Sequence, residues 1–242
     1  MNILLTGHNG FIGSHLYNYL KQKHNVIGFD IVSGQDLLQT EFPQDIDLVI
    51  HLAGLSGVRD SLERPAEYWK TNVIGTQRLF EHYRDIRIIY ASSSTAHEPW
   101  KNPYAMSKYS MEQLNHINSV GMRFTTVYGP GAREEMLIPK ILNCDVQYLN
   151  VNHIRDFIHV NDVVNAIQIM IDNTFRGVVD VGTGISNKLV DIADYFKIDY
   201  KSVIGDETER LDNTADTSIL NKFGWRAKIN LYNYIEENKN VQ

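Results

Sequence analysis

The sequence predicts an α/β protein in which a parallel sheet carries helices on both faces. Short apolar runs alternate with amphipathic helical patterns along most of the chain, and parallel strands need helical crossovers of this kind. Apolar runs in the first half end in polar or glycine-rich turns, which is where such sheets bind ligands. With 242 residues, 43% of them hydrophobic, the chain can bury a substantial core in one large domain or in one domain with a small appendage.

The first predicted element is a strand that enters a glycine-rich turn. The apolar run 3–5 stops at Thr6, glycines follow at intervals of three, and an amphipathic pattern begins near Phe11. In such a turn the first glycine allows the tight bend, the second lets the backbone approach a pyrophosphate, and the third lets the helix pack close to the strand. The helix N terminus then attracts the pyrophosphate. The candidate residues are Gly7, Gly10, Phe11, Ile12 and Gly13.

A second apolar run, residues 26–29, ends in Asp30. A carboxylate at this point accepts hydrogen bonds from a ribose diol and repels a 2′-phosphate. No Arg or Lys lies between Asp30 and Arg59 to neutralise such a phosphate. Three glycines alone would be weak evidence, because glycine occurs in turns of every kind. Together with the strand, the helix and the terminal acid, they predict a dinucleotide-binding βαβ unit of the Rossmann type that prefers NAD to NADP.

The segment after Asp30 is compressed. Residues 31–45 leave no room for a full helix and another strand before the apolar run 47–50. We therefore expect a sheet of about six parallel strands that lacks the usual second helix and third strand. Losing strands at an edge leaves the centre of the sheet intact.

The remaining elements follow in alternation. Further strands are predicted at residues 47–50, 86–91, 122–127 and 177–181. Helices are predicted from about Pro65 to Tyr83, and at 104–118, 136–144, 162–172 and after a capping Ser186. Residues 1–130 would form the dinucleotide-binding domain, with sheet contributions from about 154–183. Residues 131–153 and 184–242 would form a small C-terminal substrate-binding lobe.

The composition excludes several classes of function. A formal net charge of −6 argues against affinity for nucleic acid or anionic membranes. The single cysteine, Cys144, excludes an internal disulfide and is expected to be an inert packing thiol. Nine histidines show no metal-ligand spacing, so we expect no metal, and structural hydrogen bonds for His51 and His159. The first residues lack the basic start of a signal peptide and no apolar stretch reaches the length of a membrane span, which predicts a cytoplasmic protein.

Tyr104 and Lys108 form the candidate catalytic pair. Four residues apart in a helical context, they share one face. An ammonium beside a phenol favours the phenolate and lowers its pKa from about 10, so the pair suits a general base. A serine after the preceding strand, in the run Ser92–Ser94, can bind the same substrate oxygen. The alternative is chance, since this spacing occurs on many helix surfaces.

In their order along the chain, these motifs resemble those of the extended short-chain dehydrogenase/reductases, and within them the nucleotide-sugar, UDP-galactose 4-epimerase-like epimerase/dehydratase family. The resemblance covers Gly7 to about Trp225. The matching stretches are Gly7-x-x-Gly10-x-x-Gly13, Asp30, His51-Leu52-Ala53-Gly54, Thr71-Asn72-Val73-Ile74-Gly75-Thr76, Ser92-Ser93-Ser94, Tyr104-Ala105-Met106-Ser107-Lys108, Val127-Tyr128-Gly129-Pro130-Gly131 and Arg155-Asp156-Phe157-Ile158-His159-Val160.

The resemblance implies a role for each matching residue. Tyr104 would be the base, Lys108 would also hold the nicotinamide ribose, and Ser94 would share the substrate hydroxyl with Tyr104. Asn72 would support the catalytic helix or a proton relay, with a helix-packing amide as the alternative. The further NAD-binding positions that the resemblance implies are Asp36, Leu37, Leu52, Ala53, Gly54 and Asn72.

Substrate binding is implied with departures from the family pattern. Arg155 would grip the substrate diphosphate, with a salt bridge to Asp156 or another surface acid as the alternative. Thr126 stands where a substrate-binding Asn is usual. The family's ribose-binding Arg has no clear counterpart, and Glu209 and Arg210 are the candidates. The loops between Ser94 and Tyr104 and between Gly131 and Arg155 are shortened.

The residues after the serines distinguish between reactions. Family dehydratases carry an Asp-Glu pair there, whereas this chain has Thr95 and Ala96. No Cys/His pair, as in the family's epimerase-reductases, accompanies Tyr104. These differences favour 4-epimerisation of a nucleotide-diphosphate sugar through a transient 4-keto intermediate, with NAD. A dehydratase or reductase of the same family, or an idle NAD(H) sensor, are the alternatives. Helices 65–84 and 104–118 resemble those of the family's four-helix homodimer interface, which Trp69 and Tyr83 would fill.

Overall fold

The computed structural model describes residues 1–114 and 116–239. The strands are β1 (Asn2–Thr6), β2 (Asn25–Phe29), β3 (Leu48–His51), β4 (Arg87–Ser93), β5 (Ser119–Phe124), β6 (Thr126–Tyr128), β7 (Tyr148–Asn150), β8 (Ile154–Arg155), β9 (Phe157–His159), β10 (Gly177–Val181), β11 (Asn187–Lys188) and β12 (Lys201–Val203). The α-helices are α1 (Phe11–Leu20), α2 (Val58–Glu63), α3 (Pro65–Tyr68), α4 (Gly75–His82), α5 (Pro103–Glu112), α6 (Leu137–Leu142), α7 (Val160–Ile171), α8 (Leu189–Tyr195), α9 (Ser218–Lys222) and α10 (Leu231–Asn238).

One parallel sheet of six strands forms the centre of the fold. Its order is β10-β5-β4-β3-β1-β2, with parallel pairing throughout. The chain leaves β1 for β2 on one side and returns to place β3 on the other side, so the strand order reverses at β1. Ligands of open α/β sheets bind at the carboxyl ends of strands beside such a reversal. The predicted six-stranded Rossmann-type sheet is confirmed.

The compressed segment after Asp30 has little regular structure, as predicted. A single 3₁₀ turn, Ile31–Ser33, precedes β3, and β2 remains the edge of the sheet. The Arg78 guanidinium on α4 donates hydrogen bonds to the carbonyls of Leu37 and Thr40, at 2.7 and 2.8 Å. These bonds hold the segment against the helix layer.

The core follows from the alternation of side chains along the strands. Ile3 and Leu5 pack on one face of the sheet with α1 and α7, whereas Leu4 packs on the other face. A third apolar cluster joins α6, α8 and α10 and forms the core of the C-terminal part. Leu220 and Trp225 belong to the first cluster, so the segment around α9 packs against the sheet.

Two predicted helices have different bounds. α5 ends at Glu112, because β5 already begins at Ser119, which pairs with Ile88 of β4. The helix predicted after Pro65 forms as α3, a π-helical segment Trp69–Ile74, and α4. π-helical turns occur often at functional sites. This one buries Asn72.

Two local predictions are wrong. Ser186 does not cap a helix: its Oγ lies 2.7 Å from the Thr214 hydroxyl, and α8 begins at Leu189. Cys144 is not a packing residue. It follows α6 in a left-handed conformation, with φ of 54°, and its side chain is exposed. Among the helices in the described ranges, none has the length and apolar character needed to span a membrane.

Candidate active site

The glycine-rich turn lies against the end of β3. Gly7 has φ of 72°, and a Cβ there would lie 2.6 Å from the Ala53 nitrogen. A Cβ on Gly13 would overlap the Gly7 carbonyl. The N-cap residue of α1 is Gly10, which has no side chain to cap the backbone N–H groups of the first turn. A tight backbone cradle therefore meets an uncapped helix N terminus, which is the geometry that holds a pyrophosphate. The turn fits NAD.

Asp30 lies at the end of β2, beside the same turn. Its carboxylate accepts hydrogen bonds from the backbone N–H groups of Asn9 and Val32, at 2.9 and 3.0 Å, and is largely buried. Two backbone donors thus orient the carboxylate. Its contact with a ribose stays a prediction.

Asp36 and Leu37 differ in their surroundings: Asp36 is a loop residue, whereas Leu37 is a core residue. Asp36 accepts a hydrogen bond from the Leu38 N–H at 2.8 Å. Leu37 is buried in the second core cluster, close to Gly75. The predicted adenine contact is therefore better placed at Asp36 than at Leu37, and it stays a prediction.

His51 links the ends of β1 and β3 to the helix layer. Its Nδ1 lies 2.7 Å from the Thr6 hydroxyl and its Nε2 lies 2.9 Å from the Thr76 hydroxyl. Burial and then the charge of Lys108 lower the pKa of His51 to about 3. The neutral imidazole makes structural hydrogen bonds, as expected. No group of three or more metal-ligating side chains occurs in the described part of the chain.

Asn72 ties the loop after β3 to the catalytic helix. Its amide oxygen accepts from the Leu55 N–H at 2.8 Å, and its amide nitrogen donates to the Leu55 carbonyl and to Ser107 Oγ, at 3.0 and 2.9 Å. The side chain is fully buried. These contacts favour the supporting role over direct contact with the cofactor.

Tyr104 and Lys108 lie on one face of α5, but the pKa of Tyr104 is raised and not lowered. The Lys108 ammonium donates to the Ala91 carbonyl at 2.9 Å and lies 6.0 Å from the Tyr104 ring centroid. Burial lowers the pKa of Lys108 to about 8. Burial also raises the pKa of Tyr104, while a hydrogen bond with Ser93 and the charge of Arg133 act in the opposite direction. The expectation of a lowered pKa for Tyr104 is wrong for the free protein, because burial outweighs the effects that lower it.

The serine run contributes two neighbouring residues. Ser94 is buried, and its carbonyl accepts a hydrogen bond from Arg210 at 2.6 Å. Ser93 Oγ accepts from the Thr95 N–H and hydroxyl, at 3.2 and 2.9 Å, and the Ser93 hydroxyl also acts to lower the pKa of Tyr104. Sequence reasoning singled out Ser94 and missed Ser93, although the run of three serines contained the signal.

Arg155 is paired, but not with Asp156. It donates to Glu209 at 3.1 Å and to the Arg210 and Leu211 carbonyls at 2.9 and 3.1 Å. Burial lowers its pKa and Glu209 opposes that effect. Asp156 is fully buried and accepts from backbone N–H groups instead. The alternative of a salt bridge to Asp156 or another acid is therefore met by Glu209 and not by Asp156.

Thr126 belongs to a further network that sequence reasoning missed. Its hydroxyl accepts a hydrogen bond from the Asn213 amide at 3.0 Å, and the amide oxygen of Asn213 accepts from the Asp156 N–H at 2.8 Å. Asn213 lines the same cleft as Thr126. In the sequence, nothing distinguished Asn213 from the other polar residues of the irregular C-terminal part.

These elements surround a cleft of about 650 Å³ at the carboxyl ends of the strands. A second cleft of about 420 Å³ adjoins it and shares Thr126, Arg133, Arg155 and Glu209. Arg133 was not a predicted site residue. The predicted residues that line the first cleft are Gly7, Gly10, Phe11, Ile12, Gly13, Leu52, Gly54, Ser94, Tyr104, Lys108, Thr126, Arg155, Glu209 and Arg210. Those not in its lining are Asp30, Asp36, Leu37, Ala53 and Asn72.

Comparison with known proteins agrees with this geometry. Residues 3–182 match the model of the NAD dependent epimerase/dehydratase family. Protein CapI from Staphylococcus aureus is 32% identical in an alignment that covers 69% of this chain and 68% of CapI.

Two solved structures share the fold over almost their whole length. MoeE5 in complex with UDP-glucuronic acid and NAD is 28% identical, with a TM-score of 0.86 and coverage of 98% of this chain and 97% of MoeE5. UDP-glucuronic acid 4-epimerase from Bacillus cereus, in complex with UDP-glucuronic acid and NAD, is 25% identical, with a TM-score of 0.87 and coverage of 99% and 98%.

Proposed function

Because this chain belongs to the NAD dependent epimerase/dehydratase family, we propose that it interconverts C4 epimers of a nucleotide-diphosphate sugar. The family and its structural neighbours use NAD, and the glycine cradle of this chain fits that cofactor. Both neighbours were solved with UDP-glucuronic acid, which makes a UDP-sugar the first substrate to test.

The observation that supports this proposal most directly is that the cleft has very few carboxylic acids. Of the described residues that line it, Glu209 is the one carboxylic acid, and it is paired with Arg155. Thr95 bonds Ser93, and Ala96 is buried. Elimination of water needs an acid and a base beyond the tyrosine, whereas epimerisation at C4 needs one base and one hydride acceptor. The cleft therefore suits epimerisation better than dehydration.

In the proposed reaction, Tyr104 accepts the proton of the sugar C4 hydroxyl and later returns it. Ser93 and Ser94 line the same cleft as Tyr104 and would orient the same oxygen. NAD, when bound, would accept the C4 hydride and give it back to the other face of the sugar, so that no net oxidation results. Lys108 would hold the nicotinamide ribose.

Arg155 would hold the substrate diphosphate while the oxidised sugar turns over. A guanidinium suits a diphosphate because it offers several donors in a fixed plane. In the free protein, the Glu209 carboxylate accepts a hydrogen bond from that guanidinium, so the substrate would have to displace this carboxylate. The anchored diphosphate would keep the intermediate bound during rotation.

The test is to incubate the purified protein with UDP-, dTDP- and GDP-sugars and to identify the products by chromatography and NMR. The panel includes UDP-glucose, UDP-galactose, UDP-N-acetylglucosamine and UDP-glucuronic acid. We expect interconversion of one C4 pair with no net formation of NADH. A stable 4-keto-6-deoxy product would indicate a dehydratase, and thermal stabilisation by NAD(H) but by no sugar nucleotide would indicate a sensor.

The matched control is Tyr104→Phe, which removes only the phenolic hydroxyl. We expect turnover to fall by at least about a hundredfold, because general acid–base catalysis contributes roughly that much. Binding of NAD, measured by calorimetry, should change little. Turnover close to that of the unmutated protein would refute Tyr104 as the base.

A further inference from the structure

Glu112 lies on the same face of α5 as the two proposed catalytic residues, one turn beyond Lys108 and two turns beyond Tyr104. Its side chain is only 1% exposed. One carboxylate oxygen accepts hydrogen bonds from Ser92 Oγ on β4 and from Arg123 Nε on β5, the latter at 2.8 Å. The other oxygen accepts from Arg123 Nη2. The carboxylate therefore joins α5 to two central strands.

Arg123 is held from its other side as well. Its Nη1 lies 3.1 Å from His97 Nδ1, and His97 Nε2 lies 2.9 Å from an Asp180 oxygen. Because Arg123 can only donate, His97 Nδ1 accepts and His97 Nε2–H donates to Asp180. The guanidinium is thus locked between Glu112 and the His97–Asp180 pair.

We propose that Glu112 is a positioning residue of the active site: its buried carboxylate anchors the helix that carries Tyr104 and Lys108, and it supplies the negative charge that faces the Lys108 ammonium. This inference rests on the proposed function for its effect on turnover. Its electrostatic part concerns the free protein and is independent of the reaction.

The physical need for such a charge follows from burial. Lys108 is 5% exposed and its ammonium bonds a neutral carbonyl, that of Ala91. A buried ammonium tends to lose its proton unless an opposite charge compensates it. Burial lowers the pKa of Lys108 to about 8, and Glu112 is the group that acts against burial.

The other titratable groups around this pair lie on several elements. His51 on β3 interacts with Lys108, and Tyr90 on β4 interacts with Glu112 and Arg123. His116 and Arg176 line a small surface cleft that also reaches Glu112. Among the described residues, those that interact with Lys108 or Glu112 or share the small cleft are His51, Tyr90, Tyr104, Arg123, His116 and Arg176, with His97 and Asp180 behind Arg123.

Two variants separate a charge effect from a packing effect. Glu112→Gln and Arg123→Gln break the same buried ion pair, but they change the charge near Lys108 in opposite directions. The titration midpoint of Lys108 is measured by NMR in free protein carrying 13C-labelled lysine, with the signal assigned by its loss in Lys108→Gln. We expect the midpoint to fall by about one pH unit in Glu112→Gln and to rise in Arg123→Gln.

Equal shifts in the two variants, or no shift in either, would overturn the proposal, because a packing role predicts the same response from both. If Glu112→Gln fails to fold, Glu112→Asp, which keeps the charge, takes its place. The midpoint must then stay near that of the unmutated protein while Arg123→Gln still raises it. Any other result counts against the inference.

Turnover supplies the second readout, on whichever sugar nucleotide proves to be a substrate. We expect kcat of Glu112→Gln to fall about tenfold with little change in KM, and the pH at which kcat stops rising to move to lower pH together with the Lys108 midpoint. If the pH at which kcat stops rising does not follow the Lys108 midpoint, the catalytic part is overturned. If no sugar nucleotide is turned over, the proposed function fails, while the NMR titration still decides the electrostatic part.

Discussion

Burial favours the neutral form of both proposed catalytic side chains. It raises the pKa of Tyr104 and lowers that of Lys108 to about 8. A base that must lose a proton works better as the pH rises, whereas a lysine that must stay charged works better as the pH falls. Because the pKa of Tyr104 lies above that of Lys108, we expect the rate to rise with pH up to about pH 8 and then to level off, since each further gain in phenolate is cancelled by loss of the Lys108 proton.

Arg133 is a cation beside Tyr104 that sequence reasoning overlooked. Its charge lowers the pKa of Tyr104, so Arg133→Leu should raise that pKa and move the rising limb of the pH–rate profile to higher pH. The side chain is about half exposed, so solvent screening limits the shift to roughly half a pH unit. Arg133→Lys keeps the charge and serves as the control. An unchanged limb in Arg133→Leu would show that Arg133 does not act on the phenol.

Glu209 competes for the guanidinium that would bind the diphosphate. Glu209→Gln removes the charge while keeping a similar shape, so we expect UDP to bind several-fold more tightly by calorimetry, since Arg155 no longer has a charged partner. Glu135→Gln, which changes an exposed acid at the adjoining cleft, is the control. Weaker binding of UDP by Glu209→Gln would mean that Glu209 itself contacts the nucleotide, as the resemblance suggested.

At the scale of elements, the contact between the glycine-rich turn and α1 is the tightest feature of the proposed cofactor site. Gly13→Ala would place a Cβ onto the Gly7 carbonyl, which is backbone and cannot rotate away. We expect loss of NAD binding and a clearly lowered Tm, because α1 must shift away from β1.

The control for Gly13→Ala is Gly34→Ala. Gly34 has φ of 80°, but a Cβ at this position would meet no atom within 4 Å, so the change costs only backbone strain of about 1 kcal/mol. NAD binding should survive. Equal loss of NAD binding in both variants would contradict the steric explanation.

At the scale of the whole molecule, the resemblance predicts a homodimer, and the surface offers apolar residues for it. Trp69, Ile74, Met106 and Tyr109 lie on the two helical regions of the proposed interface and are 37–45% exposed. Tyr83, also named for that interface, is buried and bonds the Pro43 carbonyl, so it is a core residue. We expect a dimeric mass by light scattering at micromolar concentration and a monomeric one for Trp69→Lys combined with Met106→Lys. A monomeric mass for the unmutated protein would remove the prediction.

The sequence alone predicted the six-stranded parallel sheet, the glycine-rich turn and the shared face of Tyr104 and Lys108. These features depend on local information: the period of apolar residues, the need for glycine in a close turn, and the four-residue spacing of a helix. The compressed segment after Asp30 was also predictable, because chain length limits how much structure fits between two strands.

The tertiary structure decided which side chains meet and what burial does to them. Sequence spacing placed Lys108 near Tyr104, but only the fold showed that the ammonium bonds the Ala91 carbonyl and that Ser93 and Arg133 act on the phenol. Arg155 and Glu209 are 54 positions apart, and no periodic pattern connects residues at such a distance. Partners of this kind, and the pKa shifts that follow from burial, depend on how the strands and loops pack, which is why the sequence could name Arg155 but could not identify its partner.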